Sequence, residues 1–349
     1  MCVSCGLCVK QCEFLPKYCE SPQNLADDFL AGRYYAKPEI AFMCTLCAKC
    51  ASVCPVKLNV SEMILEIRET IREEDIPLPG NVKYVKNAQK FTTGDDMYLF
   101  KPAPSGTTKR LYFPGCGLTG YSPEMALAGW KWLNENEPDC GLLFTCCDAP
   151  SLVSGDRAHY EETAQKIRNV MADCGAEELV VICPDCMEHF RDDAKIPFVS
   201  LYEIMDASGN TPTGKSGTWI IHDPCKSRTF PEVQAASRSL LEKAGYTVVE
   251  PDKNTGKKTC CCGQGGLVAY TDAKWAAHLS EVRAQDMKGM DFVTICGACR
   301  ESLAAYVPGV HLLDLLFSDN PDEVKSQAPH GMADTKKCRL RAKELFETA

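Results

Sequence analysis

One cysteine pattern occurs twice in this chain, about 110 residues apart, and it restricts the fold more than any other feature. Cys116, the adjacent pair Cys146 and Cys147, and the run Cys183-Pro184-Asp185-Cys186 are answered by Cys225, by Cys261 and Cys262, and by Cys296-Gly297-Ala298-Cys299. The offsets between copies are 109 residues at the lone cysteine, 115 at the pair and 113 at the final run. Flanking residues repeat too: Val181-Ile182-Cys183 matches Thr294-Ile295-Cys296, and Val199-Ser200-Leu201-Tyr202-Glu203 matches Val310-His311-Leu312-Leu313-Asp314. A period this long is too great for a solenoid repeat and suits two fused, duplicated domains.

Within each copy short apolar runs alternate with helical patterns. Runs at 110–113, 142–144 and 179–182 in the first copy, and at 219–221, 246–249 and 292–295 in the second, end before or near a cysteine. Helical patterns fall between them, at 160–174, 232–244 and 271–287. Alternating strands and helices predict a parallel α/β unit. Binding sites in such sheets gather beyond the carboxyl ends of the strands, so the five cysteines of each copy are expected in one crevice.

The first 75 residues carry a different pattern. Cys2, Cys5, Cys8 and Cys12 are spaced C-x2-C-x2-C-x3-C, and Cys44, Cys47, Cys50 and Cys54 repeat this with Pro55 following. Two such quartets signify a bacterial-type ferredoxin with two 4Fe-4S cubanes, in which the fourth cysteine of each run ligates the other cluster. Cys2, Cys5, Cys8 and Cys54 are then one ligand set, and Cys44, Cys47, Cys50 and Cys12 the other. Structural zinc prefers two pairs to two quartets at this spacing. Glu13 stands where the first run usually has proline, a backbone preference and not a ligand. Around the quartets, 24–31 reads as a short helix, and a second starts at Ser61 with Met63, Ile64, Ile67 and Ile71 on one face and Glu66, Glu69, Glu73 and Glu74 outward. Residues 76–109, rich in Pro, Gly, Lys and Thr, read as a linker that wraps on the surface.

Composition sets the remaining bounds. Apolar residues make up 45% and charged residues 24%, ordinary for a globular protein, and the net charge of −9 lacks the Lys/Arg clusters of a nucleic-acid binder. No apolar run approaches a membrane span, and Met1-Cys2 leaves no room for a signal peptide before the first ligand, so a cytoplasmic location is expected, with membrane association only through a partner. Many cysteines in a reducing compartment suggest metal, not disulfides. Cys19, Cys140, Cys174, Cys260 and Cys338 remain as spare thiols. Five cysteines per copy exceed the four that a cubane or a structural zinc needs, and the residues alone leave the occupant open.

The paired five-cysteine motifs, with Leu111-Tyr112-Phe113-Pro114-Gly115-Cys116 and His222-Asp223-Pro224-Cys225, resemble the cysteine-rich CCG domains of the heterodisulfide reductase family. The order of two ferredoxin motifs and two CCG domains resembles its fused catalytic subunit, and also the iron–sulfur subunits of glycolate, lactate and anaerobic glycerol-3-phosphate dehydrogenases. The resemblance covers about residues 1–317. It implies a noncubane 4Fe-4S cluster on Cys116, Cys146, Cys147, Cys183 and Cys186, another on Cys225, Cys261, Cys262, Cys296 and Cys299, and cleavage of a disulfide between them. Asp148 replaces the glycine after the first pair, and the triple Cys260-Cys261-Cys262 leaves the second register open, with Gly263 favouring Cys261 and Cys262.

The expected fold class is therefore α/β: a helical double-cubane ferredoxin domain (1–75), a linker (76–109), two duplicated Rossmann-like CCG domains (110–213 and 214–317) related by pseudo-twofold symmetry, and a C-terminal tail (318–349). The expected function is electron transfer from two 4Fe-4S cubanes to two noncubane 4Fe-4S clusters that reduce a small-molecule disulfide across a shared, mostly apolar cavity. The alternative is a non-catalytic electron-transfer subunit linking a flavoprotein dehydrogenase to a quinone or other carrier. No flavin or nucleotide site is evident: Gly263-Gln264-Gly265-Gly266 overlaps the cysteine motif and is expected to fold around the cluster. Electrons must then come from a partner of flavoprotein, hydrogenase or cytochrome type. His222 and Lys226, beside Cys225, are candidates to protonate product thiolates. Lys336, Lys337, Arg339, Arg341 and Lys343 suggest a solvated tail helix or a docking segment.

Overall fold

The computed structural model describes residues 2–349, the side chain of Tyr35 excepted. Its amino-terminal part is helical. The helix Pro22–Leu30 begins at a capping box in which Ser21 and Asn24 satisfy each other's free backbone amides. The helix Val60–Glu73 is capped by Asn59, which accepts from the Ser61 amide at 3.2 Å, and it buries Ile64, Ile67 and Ile71 as the periodicity requires. Met63 is only half-buried, and Arg68 is wholly buried on the same helix. Glu69, expected to be solvated, pairs with Arg157 at 2.8 Å. The core around this helix also takes in Leu267, Val268, Trp275 and Ala276 from the carboxyl-terminal half, so ferredoxin-like and α/β parts share apolar packing.

Two sheets follow. Strands β1 (Leu99–Lys101), β2 (Arg110–Phe113), β3 (Cys140–Phe144), β4 (Glu178–Val181) and β5 (Phe198–Ser200) form the first, in the order β1-β3-β2-β4-β5. Strands β6 (Thr218–His222), β7 (Thr247–Val249), β8 (Phe292–Thr294) and β9 (Gly309–His311) form the second, in the order β7-β6-β8-β9. All pairings are parallel except that of β1 with β3. Strands β3 and β8 are buried along their whole length, as expected where helices cover both faces of a parallel sheet.

Two segments depart from the sequence reading. Residues 76–109 are more than a linker: they contain the helix Val85–Thr92 and strand β1, which extends the first sheet at its edge. The tail is also integrated. Its helix Met332–Thr348 lies on the first half, with Phe346 buried against Phe144 and Tyr112, and Lys101 donates to the Phe346 carbonyl at 3.0 Å. Among the described residues no helix is long and apolar enough to cross a membrane.

Candidate iron–sulfur centres

Cysteine placement follows from the strands. Cys116, Cys146 and Cys183 stand two or three residues past the carboxyl ends of β2, β3 and β4, and Cys225 and Cys296 stand likewise past β6 and β8. Cys261 is different: a loop of eleven residues separates it from β7. That loop reaches to the amino-terminal part, where Asn254 accepts from Lys49, and Arg228 bridges the Lys257 carbonyl and the Cys47 carbonyl.

Both sets close on themselves in the same way. The Cys146 thiol lies 3.3 Å from Cys116, and Cys186 lies 3.2 Å from Cys147. Cys261 neighbours Cys225, and Cys262 neighbours Cys299, and the Gly263 amide donates to the Cys261 sulfur at 3.3 Å as the Asp148 amide does to Cys146 at 3.4 Å. Cys261 and Cys262 thus occupy the places of Cys146 and Cys147, while Cys260 is turned toward Cys47, Lys49 and Arg283. The two sets meet where the free thiols of Cys183 and Cys296 are neighbours.

The turn after each pair has the same handedness. Gly263 has φ of +98°, and a methyl there would strike Ser280 Oγ at 2.3 Å. Asp148 has φ of +60°, a left-handed conformation that aspartate tolerates better than most residues. Its buried carboxylate is bonded by His159 Nδ1 at 2.6 Å, by Thr163 Oγ1 at 3.2 Å and by the Gln89 amide. The Thr92 carbonyl accepts from the Cys146 amide at 3.2 Å. The supposed linker therefore forms one wall of the first centre, and Arg339 of the tail donates to the Cys116 carbonyl at 3.1 Å.

In the amino-terminal part, Cys12 lines a cavity of about 330 Å³ with Cys44, Cys47 and Cys50, and Cys260 and Cys261 stand across it. A smaller apolar cavity brings Cys54 to Cys2, Cys5 and Cys8, with Cys50 in its wall. Each quartet's last cysteine is thus beside the other's first three. Cys5 is exposed, whereas burial pushes the Cys12 thiol up to about 12 and the Cys50 thiol to about 11. In the α/β halves the neighbouring Cys183 thiol pulls Cys296 down to about 5, and the neighbouring thiols of Cys225 and Cys262 pull Cys261 well down. Cysteines gathered in so little water ionise only beside a cationic partner, and thiol-only donor sets of this kind fit iron–sulfur clusters.

The two candidate proton donors are otherwise engaged. His222 is fully buried, burial and Arg283 hold it well below the usual histidine range, and its Nδ1 accepts from Arg283 Nε at 3.0 Å. Lys226 is buried against Glu188, whose charge holds it protonated against the cost of burial. Gly265 and Gly266 lie against the backbone of Thr45 and Cys44, so this glycine-rich turn is the seam between the second half and the second quartet.

Two kinds of known domain match the chain. A 4Fe-4S dicluster domain matches residues 1–59, and a cysteine-rich domain matches twice, at 111–191 and 219–304. The chain combines a 4Fe-4S dicluster domain with two cysteine-rich domains, and its relatives include named heterodisulfide reductase subunits. Its relatives include one subunit of the fumarate reductase (CoM/CoB) of Methanothermobacter marburgensis, 24% identical over 91% of this chain and 72% of that one. A subunit of the dihydromethanophenazine:CoB–CoM heterodisulfide reductase of Methanosarcina barkeri is 25% identical over 85% of this chain and 86% of its own. A probable membrane-anchored ferredoxin of Chromohalobacter salexigens is 22% identical over 88% and 56%. The matched domains and the relatives' names support an iron–sulfur oxidoreductase.

Proposed function

We propose that the protein is the disulfide-reducing subunit of a multi-subunit redox complex. Cys2, Cys5, Cys8 and Cys54 would hold one cubane, and Cys12, Cys44, Cys47 and Cys50 the second. Cys225, Cys261, Cys262, Cys296 and Cys299 would hold one noncubane 4Fe-4S cluster, and Cys116, Cys146, Cys147, Cys183 and Cys186 the other. The two α/β domains, near 110–213 and 214–317, would be related by a pseudo-twofold axis through this meeting point. When bound, the clusters would supply one-electron transfers and iron sites for sulfur.

The observation that carries the reading is the close approach of the two five-cysteine sets: Gly297, beside Cys296, packs on the backbone of Gly117, beside Cys116, and the Cys183 and Cys296 thiols are neighbours. A pure electron conduit has no evident need for two such sets side by side. Reduction of a disulfide takes two electrons and two protons to two thiols, and one iron–sulfur site per sulfur matches that symmetry. Burial of Cys146, Cys147, Cys186, Cys262 and Cys299 limits water around the sulfurs, which preserves reduced centres and shapes their potentials. The CoB–CoM heterodisulfide in a relative's name is the first substrate to try, with a flavoprotein, hydrogenase or cytochrome-type donor.

The test is anaerobic disulfide reduction driven by a reduced dye. Cys147→Ser or Cys262→Ser is expected to abolish turnover while the amino-terminal cubanes still reduce, as read by electron paramagnetic resonance. Unchanged turnover in either variant would falsify the two-centre mechanism and leave electron transfer alone.

A further inference from the structure

Arg68 sits at the junction of the amino-terminal part and both α/β halves, and its side chain is fully buried. Nε and Nη2 donate to the Ala41 carbonyl at 3.0 and 2.9 Å, and Nη2 also donates to the Cys44 carbonyl at 2.8 Å. Nη1 donates to the Val153 carbonyl at 2.6 Å and to the Gly266 carbonyl at 2.9 Å. The Phe42 ring lies 4.6 Å below the guanidinium. All five hydrogen bonds go to backbone carbonyls, and among the described residues no carboxylate pairs with this cation.

Such an arrangement is costly on its own. A buried charge is ordinarily paired, because neutral acceptors satisfy its hydrogen bonds without cancelling its field. The Cys44 carbonyl that accepts from Arg68 belongs to one of the four proposed ligands of the second cubane, so the guanidinium stands beside that ligand set. Four thiolates around a 4Fe-4S core carry a net negative charge, and that charge grows by one on reduction. Net charge and nearby hydrogen bonding are among the levers that set such a cluster's potential.

We infer that Arg68 is the buried counter-charge of the cluster held by Cys12, Cys44, Cys47 and Cys50, and that it raises the potential of that cluster relative to a neutral residue. The inference rests on the ligand reading above. It makes Arg68 a positioning and tuning residue that touches no substrate. Its place also gives direction to electron flow, because this quartet is the one that adjoins the second five-cysteine set, through Arg228 and the Cys47 carbonyl and through Gly266 and the Cys44 carbonyl. A favoured reduced state there collects electrons next to their destination.

The experiment is an anaerobic redox titration of the full chain monitored by electron paramagnetic resonance, on wild type, Arg68→Lys and Arg68→Gln, with iron content measured on each. Arg68→Gln is expected to shift the reduced-to-oxidised ratio of the second cubane at least tenfold toward oxidised, about 59 mV for one electron. The first cubane, assigned through Cys5→Ser, should not move, and Arg68→Lys should stay near wild type. A Gln variant that cannot retain the second cubane, while the Lys variant does, also supports the role of charge. Equal behaviour of Lys and Gln variants, whether both unshifted or both impaired, overturns it. Absence of a second cubane from the wild type would overturn the ligand reading instead.

Discussion

Two residues at matching places, Asp148 and Gly263, show how one backbone requirement is met by different chemistry. Both follow an adjacent cysteine pair, and both have positive φ. The second copy has no room for a side chain, since Ser280 and Ala276 crowd Gly263. In the first copy a carboxylate fills the space and is held by His159, Thr163 and Gln89. Removing it leaves those donors unsatisfied, and a buried charged hydrogen bond contributes about 1.5–3 kcal/mol. Asp148→Ala is therefore expected to lose about 3 kcal/mol in anaerobic urea unfolding of the loaded protein. Asp148→Gly should lose about 1 kcal/mol less, because glycine takes positive φ freely, and Asp148→Asn should lose least. Equal losses for Ala and Gly would show that the backbone conformation is not what the position selects.

Elements were legible where the signal is local. The runs at 110–113, 142–144 and 179–182 fall on strands buried along nearly their whole length, and each leads into a ligand-type cysteine, so sequence exposes both strand and candidate site. Strands β5 and β9 have only three residues each and surfaced merely as repeated phrases. Strand β1 is made by its antiparallel partner β3, and the helix Val85–Thr92 buries Val85, Gln89 and Thr92, a face too polar for hydrophobic periodicity to reveal. Gln89 and Arg68 were invisible for a related reason, and Arg339 was read only as part of a basic tail: each acts on backbone or side chains far away in sequence. The helix Leu312–Phe317 offers a test at this scale. Its cap residue His311 is held at about 3 by burial, while burial raises Asp314, bonded to the Tyr121 hydroxyl at 2.6 Å, to about 6. A carboxyl whose folded pKa exceeds its unfolded 3.8 favours the fold below that value and loses this contribution as pH rises through about 6. Relative to Asp314→Asn, wild type should therefore lose about 2 kcal/mol between pH 4 and 7. His311 has the opposite sign, stabilising above its ordinary pKa and losing that as pH falls toward 3, but it is common to both proteins and cancels in the difference. A difference that does not change with pH would show that Asp314 is ionised throughout.

At the scale of the whole molecule the question is what keeps the two five-cysteine sets together. Tyr121 of the first half bonds Asp314 of the second, and Tyr202 reaches the Ile295 carbonyl at 3.5 Å. The closest approach is backbone to backbone: a methyl on Gly297 would lie 2.6 Å from the Gly117 carbonyl oxygen and 3.2 Å from the Leu118 amide nitrogen. Neither atom can rotate away. Gly297 adjoins Cys296 and Gly117 adjoins Cys116, so relief of that clash must move one cysteine-bearing segment from the other. Overpacking of this kind costs about 1–3 kcal/mol, which a fold of this size survives. Gly297→Ala is thus expected to keep wild-type iron content and cubane reduction, because every thiol is still present, and to lose disulfide turnover at least tenfold. Gly117→Ala provides the comparison, since its methyl would meet nothing within 4 Å and the same turn would carry the same added carbon without strain. If Gly297→Ala turns over as wild type does, close approach of the halves is not required for the chemistry, and each set would have to act on its own.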